Sequence, residues 1–403
     1  MYKLFSILKT LDEVPNVPFF TNKISETVIK ICEDMEITKK DVVINKSFLG
    51  ISLTIKIGEP TKRIVLCSHL DHPGFVFNNN GLGRPLGSVG GIGNLGLSEI
   101  TKPTEMDFYS SDGEYIGKSK VHIEGNRISC EDLNLKRNTI GMWHLEDTSF
   151  LYPGIRMRSA DNHVSTAVIL YAVSKIMESL KDMELVLLFT SVEEIFQISM
   201  TGVCVEKCVA GKKISQDDVF IVLETMEIDP YEVSTIDYNG GPLIKVNDAE
   251  VPYGVGSEQK NNKAEAMLLK AASGLKHQHG LSSGHTDALA LSLMTDCPNI
   301  ATLAIPCQNK HNVTNLGVVT TENVNTEDVE TSIEILKRLL KHGETEETGR
   351  LLSIKTAGDP KKLHDKKLER ILKYKQNKPR LSLGFYYPEN IFHWLLLAKS
   401  RFM

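Results

Sequence analysis

Three runs of the chain, LVLLFTSV (185–192), VFIVL (219–223) and IATLAIP (300–306), are almost wholly apolar and too short for helices. That is the pattern of parallel strands buried on both faces. A fourth strand, RIVLCS (63–68), leads to His69. Between the runs the period changes. NKISETVIKICEDM, lying between Pro18 and Met35, places Ile24, Val28, Ile29 and Cys32 at helical spacing, and Val164 to Leu180 repeats that spacing in HVSTAVILYAVSKIMESL. The segment Thr326–His342 opens with Glu327 and Asp328 and closes with Lys337, Arg338, Lys341 and His342, the charge order that a helix dipole favours. Helix alternating with buried strand predicts an α/β fold with helices packed on the sheet.

Residues 73–153 have a different texture. Glycines are frequent, alternating runs such as KVHIEG are short, and Asp112-Gly113 and Gly125-Asn126 are turn dipeptides. A small all-β module reads this way, and its position predicts an insertion that splits a catalytic domain into residues 1–72 and 154–345. Residues 346–403 form a basic and then aromatic extension, KKLHDKKLERILKYKQNKPR followed by FYYPENIFHWLLLAKSRFM, to which no role is assigned. Its bland reading is a solvated amphipathic helix followed by a docking strand or helix, set against a patch for RNA or an acidic partner, and IFHWLLLA is too short to span a bilayer.

With 403 residues, 41% of them hydrophobic, the chain can bury a large core. A net charge of -5 supplies no overall basic field for nucleic acid or an anionic membrane, so neither is expected as a partner. The N-terminus MYKLFSILKTLDEV is broken by Lys3, Ser6 and Lys9, unlike a signal peptide. Seven cysteines without a Cys-x-x-Cys pair point to reduced thiols, and the cytoplasm is the expected compartment.

Metal-type side chains recur beside the apolar runs: His69 in CSHLDHPGF, Asp161 in RSADNHVST, Glu193 and Glu194 in FTSVEEI, Glu224 in IVLETM, and His311 in PCQNKHNV. In an open α/β sheet ligands gather at the carboxyl ends of strands, which is where four of these five segments fall. Asp161 precedes a helix and can point back over the same edge. Two divalent ions need a bridging carboxylate with imidazole and carboxylate partners. Asp161 as bridge, His69 with Glu224 on one ion, and Glu194 with His311 on the other supply that set. Glu193 is left over as the general base, and Asp71 is placed to accept the second N–H of the His69 ring. Singly, each residue has an ordinary explanation: a structural histidine, a solvated carboxylate, or for Asp161 a helix cap, a task that Asn162 could also perform.

The motifs HLDHPGF, RSADNHVSTAVIL, FTSVEE, NGGPLIKV, GHTDALAL and IPCQNKH, in this order from about residue 60 to 340, resemble the dinuclear zinc aminopeptidases of the tetrahedral, or glutamyl/deblocking, type. The resemblance implies a zinc-exopeptidase-like mixed sheet flanked by helices, interrupted by a β-barrel-like domain. It implies two divalent ions at the five positions named, zinc foremost with cobalt or manganese as alternatives, and Glu193 as base. It also implies short-peptide substrates trimmed from the N-terminus and a self-compartmentalising homo-oligomer, commonly a dodecamer. The segment carrying His285, Thr286 and Asp287 falls near the site and is a candidate substrate contact. Three departures stand out: Glu224 replaces the usual Asp, which keeps an N-acyl amidohydrolase or carboxypeptidase-like activity in view, Asn162 replaces a second Asp, and the tail beyond about residue 345 exceeds the usual family length. Outside this class, the carboxylates could form a metal-free glycosidase pair, or the chain could be a silent assembly subunit.

Other patterns carry less. The glycines of Gly91-Ile92-Gly93-Asn94-Leu95-Gly96 fit a dinucleotide loop only in spacing, His277 and His279 lack further ligands, and Cys204, Cys208 and Cys307 read as packing residues.

Overall fold

The apolar runs become neighbouring strands of one mixed sheet. In the computed structural model the described residues are 2–39, 42–47, 49–89, 97–100, 104–125, 127–227, 237–245, 262–280 and 285–342; the extension expected at 346–403 and the glycine run 91–96 lie outside them. The strand order is Val42–Ser47, Gly50–Ile57, Met183–Thr190, Lys62–His69, Val219–Glu227, Ile300–Gln308, Glu322–Asn325, Gly154–Met157 and Ser149–Leu151, with Leu243–Lys245 and Gln278–Gly280 attached beside Ile300–Gln308. The four strands read from the apolar runs are parallel to one another at its centre.

Burial on both faces explains why those runs do not alternate with polar residues. Along Met183–Thr190, Leu185 and Leu187 enter one core with the helices Tyr2–Asp12, Asn22–Asp34, Ala160–Ile176, Lys263–Ala272 and Thr326–His342. Val186 and Leu188 enter the other, against Met200 and Val203 of helix Ile198–Glu206 and Leu291 of helix Asp287–Met294. Helices therefore cover both sides of the sheet, as the predicted α/β fold requires.

The glycine-rich stretch folds as a second sheet, entirely antiparallel, in the order Tyr115–Lys120, Glu105–Tyr109, Thr139–Trp143, Gly74–Phe77, Leu82–Leu86, Arg127–Ser129 and His122–Glu124. It has its own apolar filling. Phe75 meets Trp143 and Phe77 meets Phe108 edge to face, with ring centres 4.9 Å and 5.1 Å apart. Gly141 leaves room for this packing, because a Cβ there would meet Phe77 at 2.6 Å.

Leu187 is fully buried at the sheet centre. Leu187→Ala should cost about 2–5 kcal/mol of stability through the lost contacts and the cavity left behind. Urea unfolding monitored by circular dichroism measures it, and an unchanged midpoint would contradict this account of the core.

Candidate metal centre

Sheet register gathers the site. The strands Lys62–His69 and Met183–Thr190 run parallel with His69 opposite Thr190, so His69 and the Glu193–Glu194 turn leave the same edge side by side. Val222 pairs with Cys67, which brings Glu224, two residues on, level with His69. The strand continues to Glu227 because it stays paired with Ile300–Gln308 as far as Cys307. Glu224 is therefore within the strand instead of ending it, as its sequence had suggested. Beyond Gln308 the chain turns through Asn309, His311 and Asn312, all at positive φ. On the far side, Met157 pairs with Glu322, and Asp161 follows four residues later.

All five expected ligands converge. His69 Nε2 lies 3.2 Å from Asp161 Oδ1 and 3.2 Å from Glu224 Oε1. His311 Nε2 lies 3.3 Å from Asp161 Oδ2 and 3.2 Å from Glu194 Oε2. Asp161 thus offers one oxygen to each histidine, and two three-residue sets with metal-ligand spacing share it: His69, Asp161 and Glu224, and Asp161, Glu194 and His311. Glu193 joins the first half, with Oε2 3.8 Å from His69 Nε2 and Oε1 accepting from Gln197 Nε2 at 3.1 Å.

The donor atoms fit cations on two independent grounds. Asp161 Oδ2, Glu194 Oε1 and His311 Nε2 are buried and have no hydrogen-bond partner among the described residues, although the first and third have charged neighbours within about 3.3 Å. These groups are close without being aligned on one another, as lone pairs aimed at a common point would be. Both imidazoles also commit their other nitrogen. His69 Nδ1 donates to the Asp71 carbonyl and His311 Nδ1 to the Ser88 carbonyl, each at 2.9 Å, which orients both rings with Nε2 toward the carboxylates.

Electrostatics point the same way. Burial opposes charge on His311, yet Glu194 and Asp161 carry its pKa up to about 10, and Glu224 and Asp161 likewise raise that of His69 against burial. Burial pushes the Glu224 carboxyl up to about 7 and Glu193 well above the usual carboxylate range, with neighbouring carboxylates adding to both. The cluster holds more carboxyl groups than its own cations can keep ionised.

Two expected roles change. The Asp71 carboxylate does not orient His69: its Oδ1 is 3.7 Å from His69 Nδ1, and the backbone carbonyl takes that hydrogen bond. The carboxylate instead accepts from the backbone N–H groups of Glu193 and Glu194 at 3.0 Å and 3.1 Å, setting the turn that presents both side chains. Asn162 does not cap the following helix. Its amide donates to the Leu223 carbonyl at 2.9 Å, tying Asp161 to the strand that carries Glu224. In the segment His285–Asp287, His285 is exposed, Thr286 caps helix Asp287–Met294 by accepting from Ala288 N, and Asp287 is buried, accepting from Thr190 Oγ1 at 2.7 Å.

Three side chains that sequence reasoning passed over brace the site. Glu322 accepts from Asp161 N at 2.8 Å and from His311 N at 2.6 Å, so one carboxylate holds the backbones of two candidate ligands. His72 Nδ1 donates to the Asp161 carbonyl at 2.7 Å, while its Nε2 meets the Asn312 amide at 2.9 Å. Lys310 Nζ stands 2.9 Å from Asp161 Oδ2. His72 and Lys310 lie within the motifs HLDHPGF and IPCQNKH and could have been flagged, whereas Glu322, in TTENVN, gives no signal in the sequence. Gly87 allows a close approach: at φ +82° it faces Glu194, and a Cβ there would stand 3.2 Å from the Glu194 Cβ. Elsewhere, His279 pairs with Glu265 at 2.8 Å and forms no metal-type group with His277 among the described residues.

Known proteins agree with this architecture. The aminopeptidase APDkam598 of Desulfurococcus kamchatkensis is similar at 16% identity and a TM-score of 0.66, covering 88% of this chain and 100% of its own. The TET aminopeptidase of Thaumarchaeota archaeon SCGC AB-539-E09 is similar at 15% identity and 0.65, covering 86% and 99%. The TET1 peptidase of Pyrococcus horikoshii, described as assembling into a tetrahedron or a large octahedral shell, is similar at 16% identity and 0.62, covering 84% and 99%. No curated protein sequence matches the chain. The family model for M42 glutamyl aminopeptidase matches residues 131–332, half of the chain, a stretch that includes Asp161, Glu193, Glu194, Glu224 and His311. The chain belongs to the M42 glutamyl aminopeptidase family and is a metal-dependent peptide hydrolase.

Proposed function

We propose that the chain is a two-metal aminopeptidase that removes N-terminal residues from short peptides. The observation that carries this reading is the Asp161 carboxylate, whose two oxygens face two separate imidazole–carboxylate pairs. His69 and Glu224 would hold one ion with Asp161, and Glu194 and His311 the other. Divalent ions bound there, zinc foremost with cobalt or manganese as alternatives, would polarise the scissile carbonyl and acidify water. Glu193 is the general base in this scheme. Burial raises its proton affinity, so it is suited to take a proton from the attacking water and hand it to the departing amine. Asp71 positions it through the backbone of its turn. His285, Thr286 and Asp287 remain the proposed substrate contacts; of the three, His285 is exposed and Thr286 and Asp287 are buried.

Residues 73–153 are read as an inserted β domain governing assembly or access, and 1–72 with 154–345 as the catalytic domain. A homo-oligomer, with a dodecamer as its expected form, is the proposed state, by analogy with the assembling Pyrococcus horikoshii peptidase. Seven unpaired cysteines favour a cytosolic setting, and no helix among the described residues is long and apolar enough to cross a membrane.

Glu193→Gln should lower kcat by about 10²–10⁴-fold while metal content, measured by plasma mass spectrometry, stays at the wild-type value; retained kcat would remove Glu193 from the chemistry. Chelation should abolish peptide hydrolysis, and zinc, cobalt or manganese should restore it. Activity that persists in stripped protein would favour a carboxylate pair working without metal. The third comparison concerns the peptide end, where Glu224 motivates an amidohydrolase alternative. Peptides with a free N-terminus should be cleaved in preference to N-acylated ones, and the reverse preference would overturn the aminopeptidase reading.

A further inference from the structure

Glu193 is held at its backbone and at its carboxylate by different residues. Its backbone N–H is fixed by Asp71, which leaves the side chain free to turn about its own torsions. The carboxylate has a separate anchor. Gln197, four residues on, donates from Nε2 to Glu193 Oε1 at 3.1 Å, and among the described residues this is the one hydrogen bond of the Glu193 side chain. A carboxylate only accepts, so the amide must present its NH2 here. The other oxygen, Oε2, faces His69 Nε2 at 3.8 Å. The two oxygens therefore divide, one to the amide and one to the His69 half of the centre. Backbone geometry supports the same contact. Phe196 and Gln197 stand in succession at φ +56° and +49°, a conformation that costs non-glycine residues energy, and the Gln197 N–H bonds the Glu193 carbonyl at 2.9 Å. Gln197 occupies the N-terminal cap of helix Ile198–Glu206 yet gives that helix no side-chain cap. Its amide serves Glu193 instead.

We propose that Gln197 is the positioning residue of the general base: by holding Glu193 Oε1, its amide keeps Oε2 turned toward the His69 half of the centre, where the attacking water is to be deprotonated. This rests on the reading of Glu193 as base given above. A carboxylate on a flexible stem with nothing on its far oxygen samples several rotamers, and a base displaced by about 1 Å loses rate steeply. Burial makes the anchor matter more. With an apolar side chain at 197, Oε1 would lie in a buried site without a donor, and the carboxylate would relieve that cost by turning away from its working direction. Asp71 cannot compensate, because it grips only the backbone of the turn. Gln197 thus controls orientation alone, and it does so through Glu193.

The test compares Gln197→Met and Gln197→Gly with wild type in the metal-loaded full chain, on the best-cleaved of a panel of short peptides with free N-termini. Both variants should lower kcat about tenfold and leave KM within about twofold of wild type. Metal content by plasma mass spectrometry and the thermal midpoint should hold at wild-type values, since methionine matches glutamine in shape and glycine accepts the positive φ without strain. Crystals of Gln197→Met should show Glu193 in more than one rotamer, and wild-type crystals in one. The decisive arm is the double variant Glu193→Gln with Gln197→Met. It should be no slower than Glu193→Gln alone, because a residue that acts only through Glu193 then has nothing to position. A Gln197→Met kcat within about twofold of wild type, or losses that multiply in the double variant, would overturn the inference and leave Glu193 as the base. Wild-type kcat in Glu193→Gln would instead remove that reading along with this one. If Gln197→Met does not fold, Gln197→Gly takes its place in the same cycle.

Discussion

The Asp161 carboxylate is wholly buried, and burying a carboxylate without compensation is among the most expensive acts in folding. The surrounding residues answer that cost. Both oxygens face imidazoles, one accepts from Thr225 and the other faces Lys310, while the backbone on either side is tied to Glu322, His72 and, through Asn162, Leu223. With burial opposing it, the charges of Lys310, His311 and His69 hold the Asp161 carboxyl well below its ordinary pKa. Yet Glu193, Glu194, Glu224, Asp71, Asp287 and Glu322 crowd the same region, and burial raises the proton affinity of most of them. Such a cluster is satisfied by protons or by metal ions, and a site whose apo form is held by protons exchanges them for metal on loading.

What keeps this charge in place is the uncharged sheet beneath it. The parallel register of the central strands brings His69, the Glu193–Glu194 turn and Glu224 to one edge, and two apolar cores lock that register from both faces. A slip of one residue would reverse every side chain and exchange Leu187 for Val186 between cores. Packing thus fixes the geometry that the carboxylates, left to repel one another, would not choose.

The same physics decides what the sequence makes visible. The helices Asn22–Asp34, Ala160–Ile176 and Thr326–His342 were legible because their periodicity or terminal charges are local, and the central strands because both-face burial leaves continuous apolar runs. The candidate ligands were legible because imidazoles and carboxylates beside apolar runs are chemically distinctive. Asp71 was recognised as a supporting residue, but its task depends on how the chain folds back from Thr190, which no local pattern encodes. Glu322 is the extreme case. It joins residues 161 and 311 across an antiparallel pairing of short, weakly apolar strands, so its function exists only in the assembled sheet.

Lys310 shows why the chemistry of a residue and its neighbourhood in sequence carry different information. As a neighbour of His311 it reads as an ordinary solvated lysine. In space its ammonium stands 2.9 Å from Oδ2 of the buried Asp161 carboxylate and 3.2 Å from the Thr225 carbonyl. There its charge offsets part of the cost of burying that carboxylate, and it leads the charges that hold the Asp161 carboxyl well below its ordinary pKa against burial. The residue type is plain in the sequence, but this task exists only where the turn after Ile300–Gln308 meets the start of helix Ala160–Ile176.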